Sequence, residues 1–119
     1  MNLCFFGPST DRQVILDLLN EVPEYSHLRD SVSYFEDYDS FVENLPQKHY
    51  DCAVITENNA NGMEGVIALR NVLPQLPLIW FSNDEGFGCQ AYRLNADFFH
   101  TKPITAEILK MALRRTLPK

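Results

Sequence analysis

Cysteine and glycine are both scarce in this 119-residue sequence, and neither occurs in a pattern that marks a familiar site. The cysteines, Cys4, Cys52 and Cys89, are odd in number and include no C-x-x-C pair, which argues against a disulfide framework or a zinc site. The five glycines form neither G-x-G-x-x-G nor G-x-x-x-x-G-K. The sequence therefore lacks the fingerprints of dinucleotide binding and of a P-loop. Cys4 and Cys52 lie within apolar runs, so we expect both to fill the core.

The sequence also lacks long hydrophobic runs and an excess of basic residues. No run approaches the roughly 18–20 apolar residues of a membrane span, and no basic segment followed by a long apolar stretch begins the chain. We therefore expect a cytoplasmic protein without membrane contact. Sixteen acidic and ten basic residues give a net charge of −6, which argues against nucleic-acid binding by this domain alone.

The charge is unevenly distributed along the chain. Residues 1–60 contain eleven acidic and three basic residues, whereas residues 61–119 contain five acidic and seven basic residues. The basic residues near the end are Lys110, Arg114, Arg115 and Lys119. This distribution predicts two faces of opposite sign.

A hydrophobic content of 45% in 119 residues is typical of one globular domain, so we expect a single domain over residues 1–119. Short apolar runs rich in aromatic and β-branched residues predict five strands, at residues 3–6, 32–35, 52–55, 78–81 and 97–99.

Helical periodicity separates these runs. One helix precedes Pro23 and has Ser9 or Thr10 as its expected N-cap, and further helices precede Pro46 and Pro74. Residues 84–95 predict a short or mobile fourth helix, because Gly86 and Gly88 each cost about 1 kcal/mol relative to alanine in a helix. A fifth helix is expected after Thr105, which would cap it.

Strict alternation of strands and helices requires parallel strands joined by right-handed crossovers. We therefore expect an α/β, doubly wound (βα)5 fold of the flavodoxin-like type. It is a three-layer sandwich around a five-stranded parallel sheet in the order 2-1-3-4-5. In such a sheet the functional site lies beyond the carboxyl ends of the strands.

The segments at those ends carry a recognisable pattern at residues 50–57, 61–65, 78–82 and 96–103. In order and spacing they resemble the receiver domain of bacterial two-component response regulators, the chemotaxis type included. The resemblance covers nearly the whole chain. It implies a module of phosphorelay signal transduction that, through output domains, often serves transcription regulation.

The resemblance also implies roles for individual residues. Glu57 falls at the phosphoacceptor position, Ser82 at the hydroxyl position and Lys102 at the position of the lysine that grips phosphoryl oxygens. Phe99 occupies the aromatic switch position, and the carbonyl of Asn59 matches a main-chain magnesium ligand of the family.

Two departures from the family pattern bear on the chemistry. Phe6 and Gly7 stand where the family has an acidic, metal-binding pair, and Glu57 replaces the usual aspartate. Without a metal ion to neutralise crowded oxygens, phosphoryl transfer to a carboxylate loses several kcal/mol of stabilisation, at about 1.4 kcal/mol per tenfold in rate. We therefore expect no bound Mg²⁺ or other cofactor, no enzymatic activity and little or no phosphorylation.

The first hypothesis is a pseudo-receiver in which Glu57 pairs with Lys102 and imitates the phosphorylated state, or forms only a structural ion pair with it. The partner would be another protein or a second copy, bound on the face of the fourth helix, fifth strand and fifth helix. Both a stand-alone receiver and the first part of a longer regulator with an output domain remain open.

Two alternatives come from other classes of function. In one, a histidine kinase phosphorylates Glu57, with Glu36 or Asp37 replacing the missing metal ligands. In the other, residues 7–10 form a flavodoxin-like site for a phosphorylated small molecule at a helix N-terminus.

Overall fold

The computed structural model describes residues 1–117 of the chain, which form five strands and five α-helices in strict alternation. The strands are β1 (Leu3–Phe6), β2 (Val32–Phe35), β3 (Cys52–Ile55), β4 (Leu78–Ser82) and β5 (Phe98–Thr101). The helices are α1 (Ser9–Asn20), α2 (Tyr38–Asn44), α3 (Asn59–Val72), α4 (Gly88–Arg93) and α5 (Ala106–Thr116).

All four strand pairings are parallel, and the sheet order is β2-β1-β3-β4-β5. The predicted doubly wound fold and strand order are therefore confirmed. β1, β3 and β4 are buried throughout, because helices cover both faces of the sheet. This burial explains why these strands read as continuous apolar runs in the sequence.

Side chains alternate across the sheet and divide the core into two layers. One layer packs Phe5, Val54 and Ile79 against α1 and α5, and the other packs Phe6, Ile55 and Trp80 against α2, α3 and α4. The carboxyl ends of all five strands consequently open at one edge, between the two layers of helices.

Three local predictions differ from the structure. α1 begins at Ser9 and its N-cap is Pro8, whose fixed φ of −68° and extended ψ set the helix start, so neither Ser9 nor Thr10 caps it with a side chain. The sequence predicts no element between α1 and β2, yet residues Pro23–Ser31 form 3₁₀ turns anchored by fully buried Leu28. β5 runs from Phe98 to Thr101, one to two residues later than predicted.

The fourth helix is short, as predicted. A 3₁₀ turn at Glu85–Phe87 precedes α4, which has six residues, so the glycines lie before the helix or at its first position. Thr105 caps α5 by accepting a hydrogen bond from the backbone N–H of Ile108, as expected. No helix among residues 1–117 combines the length and apolarity needed to cross a membrane.

Two of the basic residues near the end of the chain are paired with an acidic residue, which the sequence does not predict. Arg114 lies 2.9 Å and Lys110 lies 3.8 Å from the carboxylate of Glu24, which follows α1. Arg115 lies over the ring of Phe98, and Lys119 lies outside the described residues. The predicted basic face is therefore partly neutralised by an acidic residue of the same chain.

Replacing Gly65 with alanine tests the packing of α3 on the sheet. A Cβ at this position would lie 2.7 Å from the ring of Phe6, whose own ring stacks on Phe41. Although alanine favours a helix, we expect Gly65→Ala to lower the free energy of unfolding by about 1–3 kcal/mol. Urea denaturation measures this loss. Asn71→Ala, at an exposed position of the same helix, is the control and should not destabilise; equal effects of both changes would contradict the packing argument.

The three thiols should differ sharply in reactivity. Burial raises the pKa of Cys4 and of Cys52 to about 12, whereas Cys89 is exposed. At pH 8 the two buried thiols would be ionised to only roughly one part in ten thousand. We expect iodoacetamide to add one label per native chain, three labels in denaturant and none to native Cys89→Ser, as read by intact mass. Two labels on the native chain would contradict this prediction.

Candidate functional site

The carboxyl edge of the sheet brings together the loops that follow β1, β3, β4 and β5. Gly7, Glu57 and Lys102 lie in the loops after β1, β3 and β5, and Ser82 is the last residue of β4; the sequence places these four residues at one site. The structure brings them to the same edge, since the strands are parallel and neighbouring. Their side chains, however, do not form the cluster that the sequence predicts.

Lys102 is the centre of the hydrogen-bonding network at this edge. Its Nζ donates to Asp11 Oδ2 at 2.6 Å, to the Thr56 carbonyl at 2.7 Å and to Asn58 Oδ1 at 2.7 Å. An ammonium group has three donors, so all of them are used. The side chains of Lys102 and Asp11 are each only 17% exposed, so the ion pair is largely shielded from water.

The local structure of each loop explains how this network forms. Asp11 lies in the first turn of α1, where a carboxylate also faces the positive end of the helix dipole. Asn58 is the N-cap of α3, but its side chain makes no capping bond and accepts from Lys102 instead. The backbone N–H of Lys102 donates to the carbonyl of Ser82, which aligns the loop after β5 with the end of β4. One lysine therefore connects α1 with the loops after β3 and β5.

Glu57 is half-buried and faces a different part of the edge. Its side chain lines a pocket of about 280 Å³ together with Phe6, Glu36, Tyr38, Asn61 and Glu64. Within residues 1–117, none of the ion pairs involves Glu57, so the expected pair with Lys102 is absent. Lys102 Nζ bonds instead to the residues on either side of Glu57, the Thr56 carbonyl and the Asn58 side chain, while the Glu57 side chain lines the separate pocket.

Ser82 and Phe99 lie close to their predicted positions but make local contacts. The Ser82 hydroxyl, 1% exposed, accepts from the backbone N–H of Asp84 at 3.1 Å. The ring of Phe99 is half-buried and meets Trp80 edge-on, with centroids 5.4 Å apart. Phe99 also contacts the start of α4, since a Cβ on Gly88 would lie 3.9 Å from its ring. The Phe99 ring therefore packs between the sheet and α4.

Phe6 and Gly7 are structural residues in this fold. Phe6 is 2% exposed, and its ring stacks on Phe41 at a centroid distance of 4.7 Å. A Cβ on Gly7 would lie 2.0 Å from Thr56 Oγ1, so the close approach of β1 and β3 requires glycine there. Neither position has room for a carboxylate without rearrangement.

The donors at this edge do not fit a Mg²⁺ site of the kind that the resemblance implies. Mg²⁺ requires oxygen ligands in near-octahedral geometry, usually including carboxylates. Asp11 is already paired with Lys102, while Phe6 and Gly7 supply no side-chain oxygen. Over the part of the chain that the structure describes, no three His, Cys, Asp or Glu residues are placed to share a metal ion.

Sequence reasoning missed the residues that hold Lys102, namely Asp11, Asn58 and the Thr56 carbonyl. One feature of the sequence could have pointed to Asp11. It is an acidic residue in the first turn of α1, directly after the loop that follows β1. For Asn58 the signal was its place directly before a predicted helix, where asparagine is a common N-cap.

Two buried polar groups at this edge, Thr56 Oγ1 and Trp80 Nε1, have no hydrogen-bond partner among the described residues.

Comparison with known proteins identifies the fold. No profile of a known protein family matches the sequence, and no curated protein is significantly similar to it. Among solved structures, chemotaxis protein CheY4 of Vibrio cholerae is 19% identical, with a TM-score of 0.73 and 98% of each chain covered. A response regulator receiver domain from Clostridium thermocellum is 17% identical, with a TM-score of 0.76, covering 97% of this chain and 92% of that one.

A third structure of the same fold is the response regulator TrrA from Thermotoga maritima, solved in complex with Mg²⁺ and BeF. It is 16% identical, with a TM-score of 0.76, covering 98% of this chain and all (100%) of that chain. The chain therefore has the fold of response regulator receiver domains, and at these identities the likeness establishes the fold alone.

Two isosteric changes separate the roles of Asp11 and Glu57. We expect Asp11→Asn to lower the free energy of unfolding by about 1–2 kcal/mol, because hydrogen bonds between charged groups are worth more than those to a neutral amide. Glu57→Gln should change it by less than about 0.5 kcal/mol, since that side chain has no cationic partner. Urea denaturation at pH 7 measures both. A larger loss for Glu57→Gln than for Asp11→Asn would contradict the network described above.

Proposed function

We propose that the chain is a pseudo-receiver: a signalling domain that acts through protein contacts with little or no phosphorylation and without catalysing a reaction. The observation that carries the proposal is the closed network around Lys102, whose three donors are all taken by groups of the same chain. A lysine in this state has no free donor for a phosphoryl group. The receiver fold supports a role in two-component signalling.

The acceptor position adds a second argument. A phosphoryl group on Glu57 would carry close to two negative charges into a pocket that already contains Glu36 and Glu64. No cation among the described residues lines this pocket to offset the repulsion. Glu57 is also longer than aspartate by one methylene, and a displacement of about an ångström costs on the order of a hundredfold in rate. Both effects disfavour transfer to Glu57.

Asp11 takes the role that the sequence assigns to Glu57. A mimic of the phosphorylated state must present a negatively charged oxygen to the lysine, and the Asp11 carboxylate, 2.6 Å from Lys102 Nζ, supports giving that role to Asp11. Because Asp11 is a fixed residue of α1, the position of the loop after β5 would not depend on phosphate. We therefore propose a domain held in one signalling state by the ion pair between Asp11 and Lys102.

The output of such a domain is a docking surface. We propose the face of α4, β5 and α5, where Tyr92 is 86% and Met111 is 54% exposed, as the contact for a second copy or another protein. Exposed tyrosine and methionine are typical of interface cores. Where the chain is part of a longer regulator, the same face would contact its output domain. We propose no direct nucleic-acid contact, given the net charge of −6.

One observation favours the alternative of a phosphorylatable receiver served by a histidine kinase. Glu36 lines the same pocket as Glu57, so a carboxylate other than the missing acidic pair stands near the acceptor position. Asp37, the other residue considered, is used as the N-cap of α2, where it accepts from the backbone N–H of Ser40. The alternative therefore depends on Glu36.

A phosphate site at residues 7–10 has less support. The Gly7 N–H donates to the carbonyl of Phe35, and Pro8 has no N–H. Asp11 places a carboxylate at the same helix end, which would repel an anion. We do not propose this function.

Intact-mass spectrometry after incubation with Mg²⁺ and acetyl phosphate tests the proposal. We expect no phosphoryl adduct on the native chain, because the metal ligands are absent and Lys102 is occupied. Glu57→Gln is the matched control for chemistry elsewhere on the chain, and a receiver with an intact acidic pair, run in parallel, shows that the donor is active. An adduct on the native chain that is lost in Glu57→Gln would overturn the proposal in favour of the phosphorylatable receiver.

A further inference from the structure

Arg70, on α3, makes four side-chain hydrogen bonds, more than any other side chain in the described part of the chain. Its Nε donates to the carbonyl of Leu94 at 2.7 Å, and its Nη2 donates to that of Asn95 at 2.8 Å. Its Nη1 donates to the carbonyl of Leu76 at 2.7 Å and, more weakly, to that of Pro74 at 3.4 Å. The side chain is only 12% exposed; its bonds to Leu94 and Leu76 are partly buried, and those to Asn95 and Pro74 lie at the surface.

Two of these acceptors belong to the end of α4. The helix closes with a left-handed residue, Asn95 at φ 56°, and with bonds from Ala96 N–H to the Ala91 carbonyl and from Asn95 N–H to the Tyr92 carbonyl. This arrangement is a Schellman motif, in which the carbonyls of Leu94 and Asn95 have no partner inside the helix. The guanidinium of Arg70 supplies those partners.

α4 has few other attachments to the protein. It contains six residues, of which only Ala91 is buried. Within residues 1–117, no side chain other than Arg70 donates a hydrogen bond to the backbone of α4 or of the two residues that follow it. A helix this short is not stable alone, so its orientation depends on these contacts.

Asp97 completes the arrangement on the side of β5. Its Oδ2 accepts from the backbone N–H of Leu78 at 2.7 Å and lies 3.8 Å from Nη2 of Arg70. The carboxylate therefore offsets the partly buried charge of Arg70 and ties the start of β5 to β4. Arg70 thus contacts the ends of α3 and α4 and the loops that lead into β4 and β5.

We infer that Arg70 is a positioning residue that fixes the orientation of α4, and with it the exposed side chain of Tyr92. The relevance of this orientation to partner binding rests on the docking face of α4, β5 and α5 proposed above. The planar guanidinium reaches four carbonyls from two loops at once, whereas a lysine ammonium is a single nitrogen and cannot span them. Loss of the Arg70 guanidinium would make α4 more mobile without disturbing the centre of the sheet.

The native chain provides a probe for this motion. Cys89 lies on α4 and is exposed, while Cys4 and Cys52 are buried, so a nitroxide attaches to α4 without any substitution. We would compare Arg70→Met, which retains the apolar stem, Arg70→Lys, which retains the charge, and the control Arg29→Met. Arg29 is exposed and precedes β2, the opposite edge strand.

We expect the electron paramagnetic resonance spectrum of Arg70→Met to show at least a twofold larger mobile fraction than the native chain, with Arg29→Met unchanged. Arg70→Lys should resemble Arg70→Met, because charge alone does not hold the loops. Hydrogen exchange should be at least tenfold faster at the amides of residues 94–96, with β1 and β3 unaffected.

An unchanged spectrum in Arg70→Met would overturn the inference, as would full rescue by lysine. Equal acceleration of exchange across α4 and the central strands would also overturn it, since that pattern reports a general loss of stability. These measurements use the free protein and no phosphodonor. They are therefore independent of whether Glu57 accepts phosphate, and failure of either idea can be recognised separately.

Discussion

The contact on which the functional edge of this molecule depends is the ion pair between Lys102 and Asp11. Without it, the largely buried ammonium would retain only two neutral acceptors, and α1 would lose its link to the loops after β3 and β5. A charge in this position is stabilised by a nearby opposite charge and is costly when left alone. The ion pair thus links α1 to the edge of the sheet through groups of the chain itself.

Much of the fold could be predicted because its causes are local. Central parallel strands are buried on both faces, so segments such as Cys52–Ile55 and Leu78–Ser82 appear as unbroken apolar runs, and helices must alternate with them. The position of Lys102 at the site followed from the same topology. Its partner did not, because Lys102 bonds to groups of Thr56 and Asn58, on either side of Glu57, and to Asp11, while Glu57 lines a separate pocket. The choice between Glu57 and Asp11 depends on side-chain direction, which spacing along the chain does not specify.

The basic residues of the second half of the chain illustrate the same limit. The sequence predicts a positively charged face from the excess of basic residues over residues 61–119, which include Arg70, Lys102, Lys110 and Arg114. In the structure they are bound to groups of the chain itself: carbonyls at the end of α4, Asp11, and Glu24 for the last two. Each of these partners is at least 24 residues away from its cation. Such long-range pairings depend on the tertiary fold, so net charge over a segment was a poor guide to the surface.

The position of Trp80, the single tryptophan of the chain, has a spectroscopic consequence. Its indole is fully buried, with the rings of Phe87 and Phe99 against it and its Nε1 without a partner. A Cβ on Gly62, next to the pocket that Glu57 lines, would lie 3.5 Å from that nitrogen. The ring therefore lies beside both the first turns of α3 and the segment that leads into α4. Any rearrangement that couples these two regions would alter the polarity around one fluorophore, so the molecule has an intrinsic optical reporter.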